Sequence, residues 1–247
     1  MVVQENKTES GIVVSDGAYA RYMKRAIDVV LAVGALLVLS PVLLVLAVVG
    51  AVAMKGNPFF LQKRPGLVDV SSGRERVFTL IKFRTMTCEK DADGNLLPDD
   101  RRVTPYGRFL RDTSLDELPE LLNILVGDMA VVGPRPQLVR DMVFMTDEQR
   151  LRHRVRPGLT GLAQVGGRSA LLWENKLAID LQYIQNVTFA EDWRIIWRTA
   201  KVVFGRTNGD PEVPVVSEDY GDHLLRVGAI DATRYAALLA EAQNYNG

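Results

Sequence analysis

The densest chemistry in this 247-residue chain lies between Arg108 and Asn123. Two adjacent carboxylates, Asp116 and Glu117, follow Arg108 and Arg111 and precede an apolar run. Leu118, Leu121, Leu122 and Leu125 recur at helical spacing, so a helix with one apolar face runs to about Val126. Gly127 ends it. Proline is tolerated only in a first turn, so Pro119 places Asp116 and Glu117 at or next to the helix N-terminus. Ser114 and Glu117 also have capping-box spacing, which would set Pro119 deeper, so two starts stay open. Acidic residues at a helix start have a purely structural reason to be there, because they complement the helix dipole. The same terminus attracts phosphate. Arg108, Arg111 and the later Arg135 can neutralise phosphate oxygens through bidentate contacts. Carboxylates suit Mg²⁺, which binds through one or two of them plus substrate phosphates. An ionised carboxylate can also attack phosphorus. These residues therefore point to a site for phosphorylated substrates, without naming a reaction.

What positions that site is an apolar stretch nearer the N-terminus, Val29–Met54, which carries no charge. At roughly 26 residues it is long enough for a bilayer, which needs about 20. Ser40-Pro41 interrupts it near the middle, where proline removes a backbone donor and kinks or breaks a helix. Both flanks are basic: Arg21, Lys24 and Arg25 before it, Lys55, Lys63 and Arg64 after it. Such residues favour the cytoplasmic side. The combination predicts a re-entrant helical hairpin over residues 19–56, with both ends on one face. A proline-kinked transmembrane helix is the competing reading. A cleaved signal peptide could use Ala51-Val52-Ala53, but its apolar core would be too long and would begin late. A buried helix of a soluble protein fits this length less well.

Charge balances at 30 basic and 30 acidic residues, which excludes an overall basic field and with it nucleic acid as the expected partner. One cysteine, Cys88, rules out an intrachain disulfide and fits a reducing compartment. His153 and His223 are too few and too far apart for a His-rich metal site.

Residues 1–18 read as a mobile polar tail. Tyr19 and Tyr22 with nearby cations suit a headgroup layer, and Asp28 at the mouth of the hairpin is expected to pair with Lys24 or Arg25. Phe59–Leu61 and Val77–Ile81 are β-prone, the latter leading into Lys82 and Arg84, and Pro65–Gly73 reads as a loop between them. Asp91–Arg102 is a second loop. It fails as a calcium loop, because Arg102 stands where a bidentate Glu is needed. Gly133-Pro134-Arg135-Pro136 is a rigid turn, and Thr146 with Gln149 predicts a capped surface helix. Helices are expected over Ser169–Gln185, Asp192–Phe204 and Asp231–Glu241. The second of these gathers Trp193 and Trp197 on one face and Arg194, Arg198 and Lys201 on another. That pattern suits a helix lying in a membrane interface, against a core-facing helix with a solvated basic side.

Several segments together resemble the bacterial sugar transferase family, in its small monotopic phosphoglycosyl transferase form. They are Lys24-Arg25-Ala26-Ile27-Asp28, the Ser40-Pro41 break, Lys82–Met86, Thr113–Pro119, Val132-Gly133-Pro134-Arg135-Pro136 and Arg156–Gly161. Gln137 stands where a Glu often follows Pro-Arg-Pro in that family. The resemblance implies an α+β, mostly helical fold: a re-entrant hairpin, a cytoplasmic catalytic domain over 57–206 with interfacial helices, and an extension over 207–247. It implies transfer of a phosphosugar from a UDP-sugar to a polyprenyl (undecaprenyl) phosphate at the cytoplasmic face of the bacterial inner membrane. Asp116 would be nucleophile and Mg²⁺ ligand, and Glu117 a base or second carboxylate. Arg111 and Arg135 would hold phosphates, beside Pro134 and Pro136, with Lys82, Arg84 and Arg108 as lesser candidates. Membrane lipid is the implied surroundings, and a homodimer stays open. A non-catalytic scaffold for glycan enzymes and a lipid-phosphate phosphatase are the rival functions.

Overall fold

The computed structural model describes residues 11–166, 172–205 and 218–245. They form two compact units. One comprises Met1–Asp28, Lys63–Phe78 and Asp128–Gly247; the other comprises Val29–Gln62 and Thr79–Gly127.

The second unit is built on the apolar helix. A π-helical turn, Tyr19–Met23, runs directly into α1, Lys24–Ala53. From Val29 onward α1 leaves Val30, Leu37, Val38, Leu44, Val45 and Val52 exposed. A core helix of a soluble protein would bury that surface, so this reading is set aside; by length and composition α1 can cross a membrane. The expected break at Ser40-Pro41 does not divide it, since the helix continues through Pro41. Pro41 has no N–H, which orphans the Leu37 carbonyl one turn back. The Ser40 hydroxyl donates to that carbonyl at 2.9 Å. A serine beside the proline thus satisfies the acceptor that the proline leaves, and the backbone can remain helical. Two separate helices are therefore one in the structure.

Beyond α1, β1 (Phe59–Val68) and β2 (Glu75–Phe83) pair as a two-stranded sheet. Pro65 and Gly66, expected in a loop, belong to β1. Each strand of such a sheet is an edge, where a missing N–H is tolerated. A short helix, α2 (Asp99–Arg102), lies in the segment expected as loop. The next helix, α3 (Pro105–Thr113), starts at Thr104, whose hydroxyl accepts from Gly107 N–H at 2.9 Å. It ends at Ser114, which is left-handed at φ 57°. Ser114 is therefore the C-cap of α3; it also precedes the next 3₁₀ turn, but its side chain makes no cap bond there, and the capping box with Glu117 does not form. A 3₁₀ turn, Leu115–Glu117, and α4 (Glu120–Val126) follow, with Pro119 at the N-cap and Gly127 closing the helix at φ 98°. Leu46 of α1, Phe83 and Leu110 form the core of this unit, with Leu43, Ala47, Tyr106, Leu115 and Leu118 packed on it.

In the first unit β3 (Ala130–Val132) and β4 (Gly158–Thr160) pair in parallel, with Ala130 opposite Gly158 and Val132 opposite Thr160. The segment leaving β3 and the one entering β4 approach so closely that a Cβ on Gly133 would lie 2.4 Å from the Arg156 carbonyl oxygen. Between the strands lie α5 (Val139–Met142) and α6 (Asp147–Arg150), the latter closed by the Thr146–Gln149 capping box as expected. A 3₁₀ turn, Leu151–Arg154, precedes β4, and α7 (Leu162–Gly166) follows it. Then come α8 (Trp173–Gln185) and α9 (Phe189–Phe204). The expected α8 start at Ser169 lies outside the described residues. Part of the supposed tail is pinned: Val14 is buried, and Ser15 N–H donates to the Ile184 carbonyl at 2.8 Å. At the C-terminus α10 (Tyr220–Arg226), which sequence patterning missed, and α11 (Ala232–Asn244) pack with Val139–Met145 and Trp173 in a common core.

Candidate active site

The acidic pair sits in the 3₁₀ turn between α3 and α4. Leu115 and Leu118, which flank it, are packed with Leu46 and Leu110, so the turn is nailed to the apolar helix by its own neighbours. The Tyr106 hydroxyl adds a hydrogen bond to the Leu46 carbonyl at 2.7 Å. Asp116 and Glu117 are half-buried. Lys82, at the end of β2, lies 3.0 Å from Glu117 and 3.0 Å from Glu120. The Glu120 side chain is only 2% exposed, and that ammonium offsets part of the cost of burying its charge. One cation thus serves two carboxylates while Asp116 stands beside them. This arrangement holds the Glu117 side chain.

Asn123 holds α4 against the same strand. Its side-chain amide donates to the Thr79 carbonyl at 2.8 Å and its side-chain oxygen accepts from Ile81 N–H at 3.1 Å. A carboxamide here imitates a neighbouring β-strand. Neither Glu120 nor Asn123 was singled out from sequence as part of the site. Their only local signal is that both are polar and lie on a helix otherwise made of Leu, Ile and Val.

Of the expected phosphate ligands, Arg108 and Arg111 are exposed, one turn apart on α3. Arg111 is oriented by its Nε, which donates to the Thr85 hydroxyl at 3.0 Å. Arg84 is half-buried, its backbone N–H bonded to the Pro58 carbonyl at 2.7 Å. Lys82 is brought to Glu117 as an ion-pair partner. Pro134, Arg135 and Pro136 belong to the other unit, in the turn leaving β3, with both prolines buried and Arg135 half-buried. In that unit Asp28 is within 3.8 Å of Lys24, as expected, and also accepts from Val131 N–H at 3.0 Å. Lys24 makes its shorter pair with Asp192, at 2.6 Å. Among the described residues no group of three or more His, Cys, Asp or Glu forms a metal cage. The donor set at Asp116 and Glu117 nonetheless fits Mg²⁺, an ion that takes few protein carboxylates and completes its shell with phosphate and water.

An acidic turn seated on an exposed apolar helix, with two exposed arginines on the helix that precedes it, defines a membrane-associated protein built to handle phosphorylated molecules. The chain belongs to the bacterial sugar transferase family, whose match covers residues 19–206. It is 45% identical over 183 residues to the uncharacterized sugar transferase EpsL of Bacillus subtilis, covering 73% of this chain and 87% of that one. It is 38% identical over 186 residues to the UDP-glucose:undecaprenyl-phosphate glucose-1-phosphate transferase of Caulobacter vibrioides, covering 71% and 67%. A third relative, the undecaprenyl-phosphate galactose phosphotransferase of Salmonella typhimurium, is 34% identical over 208 residues; these cover 76% of this chain and 41% of the longer relative.

Proposed function

We propose that this protein is a phosphoglycosyl transferase that moves a phosphosugar from a UDP-sugar to undecaprenyl phosphate and releases UMP. The observation that carries the reading is the Asp116-Glu117 turn packed through Leu115 and Leu118 onto α1. A reaction between a soluble nucleotide sugar and a lipid phosphate needs its nucleophile held at a membrane surface, and this packing onto an apolar helix supports that reading. Asp116 attacks the phosphorus that bears the sugar. The bond from that phosphorus to the bridging oxygen breaks, and UMP leaves with the bonding electrons. An oxygen of the lipid phosphate then attacks the same phosphorus and displaces the Asp116 carboxylate, which leaves a polyprenyl-diphosphate sugar. Glu117, held by Lys82, serves as base or as a second carboxylate. Arg111 and Arg135 hold phosphate oxygens, between Pro134 and Pro136 in the second case, and Arg84 and Arg108 add positive charge. Asp116 is the residue that would hold Mg²⁺, an ion whose bound charge offsets that of the diphosphate.

In this reading residues 19–56 anchor the chain as a re-entrant element at the cytoplasmic face of the inner membrane. Ser40-Pro41 is the bend within one continuous helix, residues 57–206 carry the catalytic domain and 207–247 extend it. The α9 helix supports an interfacial role: Trp193 and Trp197 are 54% and 61% exposed, while Asp192 and Ile195 of the opposite face are buried. A core-facing α9 would bury those tryptophans. The relatives named for glucose 1-phosphate and galactose transfer make a UDP-hexose the first substrate class to try. The test is a panel of UDP-sugars assayed for UMP release with and without undecaprenyl phosphate. Lipid-dependent UMP release with a diphosphate-linked product is expected. No UMP with any sugar would favour a scaffold, and inorganic phosphate release would favour a phosphatase.

A further inference from the structure

The turn that carries Arg135 has an unusual backbone problem. Pro134 and Pro136 cannot donate, so the turn cannot tie itself into a ladder, and its three successive carbonyls need donors from elsewhere. Each has one, and each donor comes from a different segment. Pro134 O accepts from Gly158 N–H at 3.0 Å. Arg135 O accepts from Arg152 Nη2 at 2.6 Å. Pro136 O accepts from Arg64 Nη1 at 3.0 Å.

Two of those donors are guanidiniums, and Arg152 is costly to place. It is 1% exposed, and its charge is met by the equally buried Asp180, whose Oδ2 accepts from Nε at 3.0 Å and from Nη2 at 2.6 Å. Its remaining arm faces His153 Nε2 at 3.4 Å, while His153 Nδ1 is 3.1 Å from Glu75. A buried ion pair of this kind is weak evidence for stability, because apolar residues of similar size would serve as well. What apolar residues could not do is donate to the Arg135 carbonyl.

We propose that Arg152, set by Asp180, and Arg64 are positioning residues. They fix the backbone of Pro134-Arg135-Pro136 from both sides, so that Arg135 meets a nucleoside diphosphate already oriented. The inference rests on the assignment of Arg135 to phosphate binding. Displacement of a binding group by about 1 Å costs roughly a hundredfold in productive geometry, so small losses at these carbonyls become measurable.

The experiment measures UDP affinity by calorimetry on the full chain in detergent, well below each variant's melting temperature. The variants are Arg135→Ala, Arg152→Lys, Arg64→Met and the doubles with Arg135→Ala. Lysine at 152 can keep the charge pair with Asp180 but lacks the fork that reaches both partners. Arg64→Met leaves that buried pair intact, so it decides the matter if the 152 variant does not fold. Expected is a weaker UDP affinity in each single variant, by up to the roughly ten- to hundredfold that a lost charge-assisted hydrogen bond is worth, with no further loss when either is added to Arg135→Ala. That non-additivity is what a merely stabilising arginine would not produce. If Arg135→Ala weakens UDP binding but the positioning variants bind normally, or their losses add in full, the inference is overturned and the Arg135 assignment stands. If Arg135→Ala itself binds UDP normally, the assignment fails and takes the inference with it.

Discussion

At Asp116 the question is whether a carboxylate in a 3₁₀ turn is a nucleophile or only a ligand. A neutral amide of the same shape neither attacks phosphorus nor binds Mg²⁺ well, so Asp116→Asn should abolish turnover. Wild-type protein given its UDP-sugar without lipid should gain the mass of one phosphosugar on the peptide holding Asp116. Undecaprenyl phosphate should discharge it. If no adduct forms and kinetics require both substrates bound together, Asp116 is a ligand and transfer is direct. The two arginines of α3 differ in how they are held. Both are exposed on α3, and Arg111 is braced at its Nε by the Thr85 hydroxyl. A lost charge-assisted hydrogen bond is worth about 1.5–3 kcal/mol. Arg111→Ala should therefore lower kcat/KM by roughly ten- to a hundredfold, and Arg108→Ala by much less; equal small losses would reverse the assignment.

The elements explain why those residues could be found and why their supports could not. Leucines at helical spacing and Gly127 marked α4, and Thr146 with Gln149 marked α6, because each signal lies within a few residues. Lys82 meets Glu117 across 35 residues and Arg152 meets Asp180 across 28, and no local pattern announces either pairing. Ser40-Pro41 misled for a related reason: the proline's cost was visible, but the hydroxyl that offsets it depends on a rotamer. Ser114 misleads because serine is an ordinary N-cap residue, whereas the left-handed C-cap that it forms here is a place usually taken by glycine. Element scale is also where Lys82 is tested. Lys82→Met removes the ammonium 3.0 Å from the buried Glu120, and breaking a buried pair costs about 3–5 kcal/mol in comparable cases. The variant should melt at lower temperature, and Lys82→Met with Glu120→Gln should recover much of that stability. Activity should remain low in the double variant, because Glu117 has still lost its brace. Recovery of both together would make Lys82 a purely structural residue.

Across the molecule, two conditions bear on the whole fold: proton concentration and the membrane. Burial pushes His153 down from its ordinary 6.5 to about 4, outweighing the pull of Glu75. The folded state therefore resists a proton that the unfolded chain accepts. That stabilisation is complete above about pH 6.5 and is lost as pH falls toward about 4. Burial would raise Glu75, but His153 and Arg150 hold it below the usual carboxylate range, so its contribution is lost at still lower pH. Melting temperature should fall across this window, and His153→Gln should flatten the upper part of that slope. An unchanged slope in the variant would place the acid sensitivity elsewhere.

The membrane condition is decided by where the two ends of α1 lie. Lys24 is committed to Asp192 and Asp28, so the N-terminal end of the helix is tied to a folded, charged unit and cannot be moved through a bilayer without carrying that network. The other end carries Lys55, Lys63 and Arg64, which favour the cytoplasmic side. A straight helix of this length would separate these ends across the membrane; the proposed re-entrant arrangement requires a bend at Ser40-Pro41 to keep them together. In a Cys88→Ser background, Ser10→Cys and Phe60→Cys should both react with a membrane-impermeant thiol reagent only when it is supplied from the cytoplasmic side. Periplasmic labelling at either position would sink the re-entrant arrangement. Pro41→Ala restores the N–H that the Leu37 carbonyl lacks and removes the steric cause of bending. Phe60→Cys should then become accessible from the periplasm in part of the population. If both sites stay cytoplasmic in that variant, the tethered Lys24 and the basic flank hold the topology, and Pro41 only shapes the helix within it.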